Sequence, residues 1–216
     1  ILLSSSCWGH PLAIDKMLHK FGRDSAAQNL MFTMHWYEPR LLTMIEDNRG
    51  DFKYPGSVPL DRSPGTAEVH WAQEEMESRF GFLAGQARTC GVPGHRILVG
   101  EVGITRWVGG AEHYLSDVLG AIHKCGWSAC LYTFRPAAWH GFDYEFGTDE
   151  ANKSRSQENV LFKAIASAIA RQSTSAPKAT ILRPPEGPDW QSGSDWPSRC
   201  MYAVGRATSK SEPVTG

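Results

Sequence analysis

The residues best placed to do chemistry are one carboxylate and the tyrosine and histidine expected beside it. Glu101 lies in Ile97-Leu98-Val99-Gly100-Glu101-Val102-Gly103, where a branched apolar run meets a glycine, then the carboxylate, then a second glycine. An apolar run bounded by glycine reads as a buried strand. A carboxylate at its C-terminal end sits at the rim where parallel α/β barrels carry their reacting groups. There it serves as a nucleophile or general base; the structural alternative is a helix cap or a pair with Arg106. A second run, Leu30 to Met34, gives way abruptly to His35, Trp36, Tyr37 and Glu38 before Pro39. Tyr37 beside Glu101 would donate a hydrogen bond that orients the carboxylate and keeps it ionised. His35, two positions earlier on the same side of the strand, either binds a ligand hydroxyl or is a satisfied buried histidine. Glu38 falls on the other face and reads as a salt bridge or loop contact.

The elements that must position these groups alternate. Ile1-Leu2-Leu3 reads as a strand that ends in Ser4-Ser5-Ser6-Cys7-Trp8-Gly9. Leu12, Ile14, Met17, Leu18 and Phe21 have helical spacing, with Pro11 at the start and Gly22 at the stop. After the Leu30–Met34 strand, Arg40 to Arg62 reads as a long loop. Ser63-Pro64 predicts a helix start, with a helix from about Gly65 to Phe82 or beyond. Gly91-Val92-Pro93-Gly94 is a turn cluster leading into the strand of Glu101. A helix is predicted over Ala111 to Lys124, and a fourth strand over Trp127 to Phe134, followed by an aromatic-rich loop, Arg135 to Asp149. Ser154 and Gln157 have capping-box spacing and predict a last helix running to about Gln172. Strand and helix thus alternate four times, which implies parallel strands. Four units are half of an eight-fold barrel; an open, flavodoxin-like sheet is the competing arrangement. Residues 1–172 form the expected domain. Ser173 to Gly216, rich in Ser, Thr, Pro, Gly and charge, reads as a disordered tail.

Composition excludes several function classes. The 216 residues carry a formal net charge of −1, with 41% hydrophobic and 21% charged residues. That balance suggests no nucleic-acid partner and no acidic membrane surface. No stretch is long and apolar enough to span a membrane. The five cysteines, Cys7, Cys90, Cys125, Cys130 and Cys200, have neither zinc-site spacing nor a disulfide-framework pattern. No GxGxxG or P-loop is present, so no cofactor and no metal is expected. Eight tryptophans are more than usual, and Trp in a loop either stacks on flat ligand faces or packs partly buried. The chain begins with Ile1 and its first residues already read as a strand, so a preceding segment is expected.

Four motifs in order resemble the second half of glycoside hydrolase family 5, the cellulase-type enzymes. They are His35-Trp36-Tyr37-Glu38-Pro39 with Leu42-Thr43; Val99-Gly100-Glu101-Val102-Gly103 through Trp107; Gly126-Trp127-Ser128 with Tyr132-Thr133-Phe134-Arg135; and Gly141-Phe142-Asp143-Tyr144-Glu145. The serine-rich start with Trp8-Gly9 resembles that family's fifth strand. The similarity covers roughly residues 1–172. It implies an eight-stranded (β/α)8 barrel, of which the last four units are present, and retaining hydrolysis of β-glycosidic bonds in a polysaccharide or oligosaccharide. It implies that Glu101 is the nucleophile, that His35 and Tyr37 contact substrate and nucleophile, and that an aromatic at the end of the eighth strand stacks on sugar. The nearest match for that aromatic is Tyr132, where the family usually has Trp. Trp8, Trp107 and Trp139 are further candidate stacking surfaces. The family pattern Gly-Glu-Phe-Gly reads Gly-Glu-Val-Gly here. The resemblance also implies a secreted or periplasmic protein.

One part of the family's machinery is missing from the sequence. Retaining glycosidases need two carboxyl groups about 5–5.5 Å apart, and in this family the acid/base belongs to an Asn-Glu pair after the fourth strand. No Asn-Glu pair occurs in the chain. Without the acid, a contribution of roughly 10²–10⁴ in rate is lost, so the chain alone is expected to be inactive. A half barrel would also leave its outer strands unpaired and open to self-association. Three readings follow: a cellulase-like hydrolase represented by its C-terminal part; a non-catalytic carbohydrate-binding or inactive remnant; and an unrelated α/β enzyme with Glu101 as base.

Overall fold

The computed structural model describes residues 1–23 and 29–174. The parallel sheet contains β1 (Leu2–Ser4), β2 (Met31–Trp36), β5 (Ile97–Val102) and β6 (Ser128–Leu131). An antiparallel pair, β3 (Gly56–Pro59) and β4 (Glu68–Trp71), lies between β2 and β5 in the chain. The longer helices are α1 (Ile14–Phe21), α2 (Gln73–Thr89), α3 (Ala111–Lys124) and α4 (Val160–Thr174). Strand order in the parallel sheet is β1-β2-β5-β6. A doubly wound sheet reverses its order about a switch point. Here the order follows the chain without reversal, as neighbouring strands of a barrel do.

Alternation within β2 sets the core. Phe32, Met34 and Trp36 are buried on one face, where α1 packs against β2 and each helix packs on the next. Trp36, Phe80 of α2 and Trp127 ahead of β6 form a run of rings, with centroids 4.2 and 5.8 Å apart. Burial of each such side chain contributes about 1.5–3 kcal/mol. Thr33 and His35 point to the opposite face, and β1 and β6 are the sheet's outer strands.

Four expectations about the elements are corrected. The helix predicted from Ser63-Pro64 and Gly65 begins only at Gln73, because residues 56–71 pair as a hairpin that buries Val58 and Trp71. The Asp61 carboxylate accepts from the Ser63 amide and the Thr66 hydroxyl at 2.6 Å each, so Ser63 closes the hairpin loop and caps no helix. Arg40 to Arg62 is likewise not a plain loop. It holds two helical turns, Arg40–Thr43 and Ile45–Asn48, locked by the buried Asn48, whose side chain bonds the backbone of Leu42 and Phe52. Finally, α4 starts at Val160 and not near Ser154. Asn159 caps it by accepting from the amides of Leu161 and Phe162 at 3.0 Å, while Gln157 reaches toward Glu145. The predicted fourth strand is also shorter, Ser128–Leu131. Ser173 and Thr174 continue α4; the rest of the tail expected over 173–216 lies outside the described residues.

Buried phenols tie the layers together. The Tyr54 hydroxyl donates to Asp117 at 2.7 Å and that of Tyr114 to the Glu38 carbonyl at 2.8 Å. The Tyr144 hydroxyl accepts from the Ile104 amide at 3.1 Å. Burial, the largest cause in each, raises all three above their ordinary value of 10.0. The folded chain therefore keeps protons that the unfolded chain releases, and stability falls as pH climbs above about 10. In an alkaline titration, the phenolate absorbance of these tyrosines is expected to rise together with loss of circular dichroism. Their ionisation in a chain that keeps its full helical signal would contradict their burial.

Candidate active site

The site is built where β2 and β5 end side by side. Their pairing runs Phe32 to Ile97, Thr33 to Leu98 and Met34 to Val99, then skips one residue so that His35 faces Glu101 and Trp36 faces Val102. Gly100 is the extra residue of this bulge. A side chain there would approach the Thr33 hydroxyl to 2.5 Å, so glycine is required by close packing. The bulge turns Glu101 toward the same mouth as His35 and Tyr37.

The three side chains meet at one oxygen. The Tyr37 hydroxyl donates to Glu101 Oε2 at 2.8 Å, and His35 Nδ1 lies 3.4 Å from the same atom. Among the described residues nothing else bonds this carboxylate, so Oε1 points free of partners. Glu101 is about one-third exposed, enough for a ligand to reach it. Burial first, then the hydrogen bond to Glu101, raises the Tyr37 phenol well above its ordinary range. Tyr37 thus stays protonated, and a donor, across neutral and alkaline pH.

Aromatic rings form one wall. Tyr37 meets Tyr132 and Phe142 edge-on at 6.3 and 6.2 Å, and Tyr132 meets Phe142 at 5.4 Å. The Tyr132 amide donates to the Val102 carbonyl at 2.9 Å, and its own carbonyl lies 3.0 Å from the Tyr144 hydroxyl. The Tyr132–Thr133 peptide is cis. The half-buried Tyr132 therefore joins His35, Tyr37 and Glu101. Trp107 stands apart: its ring lies 4.9 Å from the Arg106 guanidinium and close beneath Gly141. Trp8 is 95% exposed and Trp139 56% exposed, each on a residue with positive φ. Glu38 turns to His10, 3.2 Å away.

Arg106 does not pair with Glu101, the structural alternative raised for both residues. Its fully buried guanidinium donates to the carbonyls of His140, Gly147, Asp149, Glu150 and Asn152. It thereby holds the loop that follows Tyr132. The same loop buries Asp143 and Glu145. Arg155 binds Asp143 at 2.8 and 3.0 Å, and Arg135 binds Glu145 at 2.6 and 3.0 Å. The Arg135 hydrogen bond is the main reason that the Glu145 carboxyl is held below its ordinary range. Reading the sequence alone missed these loop-building roles. A cluster of Gly and charged residues in an aromatic loop was the available signal, but it names no pairs. No group of His, Cys, Asp and Glu among the described residues could hold a metal ion. No described helix is long and apolar enough to cross a membrane.

No protein-family model and no curated protein matches the sequence. Solved structures do match the fold. Thermotoga maritima Cel5A in complex with cellobiose is 20% identical with a TM-score of 0.52. An endoglucanase is 17% identical with a TM-score of 0.51, and a hyperthermophilic endo-β-1,4-glucanase in complex with substrate is 17% identical with a TM-score of 0.50. Each match covers 76% of this chain and 47% of the other, so the chain spans about half the length of these enzymes. At these identities the likeness is one of fold: four parallel strands backed by helices, in the arrangement of the glycoside hydrolase family 5, cellulase-type endoglucanases.

Proposed function

We propose that the chain is the nucleophile-bearing part of a retaining β-glycoside hydrolase, corresponding to the last four βα units of a (β/α)8 barrel. The observation that carries this reading is the Tyr37–Glu101–His35 cluster at adjacent strand ends, with Oε2 bonded by Tyr37 and faced by His35, and Oε1 left open. Glu101 Oε1 attacks the anomeric carbon, the glycosidic C–O bond breaks, and a glycosyl ester forms on Glu101. Water then attacks the anomeric carbon, the bond from that carbon to Glu101 breaks, the carboxylate leaves, and the sugar is released with its configuration retained. Tyr37 orients the carboxylate and, as a neutral donor, leaves it ionised for attack. His35 faces the same oxygen and meets a sugar hydroxyl. Tyr132 lines the wall beside the nucleophile, and the exposed Trp8 and Trp139 offer faces for sugar stacking. Protonation of the leaving oxygen needs a second carboxyl group, which we assign to a part of the barrel outside these four strands. The open edges of β1 and β6 are where further strands, or another copy of the chain, would pair.

The substrate class is a β-linked gluco-oligosaccharide or polysaccharide. Cel5A from Thermotoga maritima is described with cellobiose and also with mannotriose, which supports a β-1,4-linked hexose chain. A non-catalytic carbohydrate-binding role is the second reading, favoured by the exposed Trp8 and Trp139.

An activated substrate separates the two. Dinitrophenolate is a good enough leaving group to depart without protonation. With dinitrophenyl β-cellobioside the 216-residue chain is expected to release at most one equivalent of dinitrophenolate and to carry a glycosyl ester on Glu101, read by peptide mass spectrometry. Glu101→Gln should abolish the label while cello-oligosaccharide binding persists. Binding without any label on Glu101 would leave only the carbohydrate-binding role. Tyr37→Phe removes one hydrogen bond to a charged group, so labelling is expected to slow by about 10- to 100-fold. Labelling at the unchanged rate would show that Tyr37 does not orient the nucleophile.

A further inference from the structure

The segment after β1 makes an unusual turn directly over the site. Cys7, Trp8 and Gly9 have φ values of 57°, 59° and 80°, three left-handed residues in succession. Such a conformation is sterically costly for Cys and Trp, and it persists only where the surroundings impose it. Here both ends are tied to β2 and the residues following it. The Ser5 amide donates to the Thr33 carbonyl at 2.9 Å, and the Ser5 hydroxyl to the His10 carbonyl at 3.1 Å. His10 Nε2 lies 3.2 Å from Glu38, and its Nδ1 accepts from the Leu12 amide at 3.2 Å.

What the turn delivers is a bare Cα on the His35 ring. A Cβ at Gly9 would stand 2.6, 2.8 and 2.9 Å from Cγ, Cδ2 and Nδ1 of His35. His35 Cβ already occupies the in-plane approach to Cγ, so this point lies over the ring face. Gly100 sets no such limit on the ring, since a Cβ there would stand 3.4 Å from Cδ2 and 3.5 Å from Nε2, ordinary van der Waals contact. Against Gly9 the ring rests where Nδ1 faces Glu101 Oε2 at 3.4 Å. A floppy imidazole would lose that alignment.

We propose that Gly9 is a positioning residue: the left-handed turn after β1 presents its bare Cα as the seat of the His35 imidazole, and so sets the His35–Glu101 geometry. Its consequence for turnover rests on the reading of Glu101 as the nucleophile; the geometric claim does not.

The test follows the His35 ring resonances by NMR at fixed pH in the full 216-residue chain. Glu101 faces the ring from β5, and the neighbouring His10 is engaged with Glu38. With Gly9 present, Glu101→Gln is expected to move the His35 ring resonances, because Nδ1 stands 3.4 Å from Glu101 Oε2. In Gly9→Ala the displaced ring should lose most of that Glu101-dependent shift. A shift of the same size in both backgrounds would overturn the proposal. A second measurement separates ring overlap from the cost of positive φ. The melting temperature lost on Gly9→Ala should be largely recovered when His35→Ala removes the ring. An equal loss in the His35→Ala background, or failure of Gly9→Ala to fold in either background, would mean that backbone conformation alone requires the glycine, and the proposal falls. Whether Glu101 is the nucleophile is read separately, from the glycosyl label on the chain with Gly9 intact.

Discussion

The rim of this sheet depends on one extra residue in β5. Without Gly100 in the bulge, strict pairing with β2 would carry Glu101 out of register with His35. A one-residue slip turns a side chain to the other face of a sheet. The bulge is affordable only because Gly100 has no side chain to meet the Thr33 hydroxyl. The carboxylate is thereby placed against Tyr37, which donates to Oε2, with His35 Nδ1 3.4 Å from the same oxygen.

Around that point the chain spends buried charge on loops. Arg106 reaches five carbonyls instead of a carboxylate, and Asp143 and Glu145 are buried against Arg155 and Arg135. Taking a charge out of water is costly unless its partners are well placed. Here each guanidinium is multiply bonded, which makes the loop after Tyr132 a fixed wall. The turn after β1 follows the same logic with backbone strain: three left-handed residues are held by contacts at both ends.

Much of the framework was legible in the sequence. The helix over Ala111–Lys124 matches its apolar period residue for residue, because a stripe that buries Tyr114, Leu115, Val118 and Ile122 has a single way to face a core. The four parallel strands appear where apolar runs end in glycine or polar groups. The hairpin of residues 56–71 was not legible: Ser63-Pro64 is a sound local helix start, yet burial of Val58 and Trp71 outweighs it. The capping box at Ser154 and Gln157 failed for a similar reason, as Gln157 is drawn to Glu145 and Asn159 is left to cap.

Side-chain type and order along the chain were enough to single out Glu101, Tyr37 and His35, since local patterning alone puts each near a strand's C-terminal end. Their meeting at one oxygen was not in the sequence. It required a register shift in one strand pair, and a left-handed turn from a third strand lying over the imidazole. Both depend on contacts between residues far apart in the chain, which no local periodicity encodes.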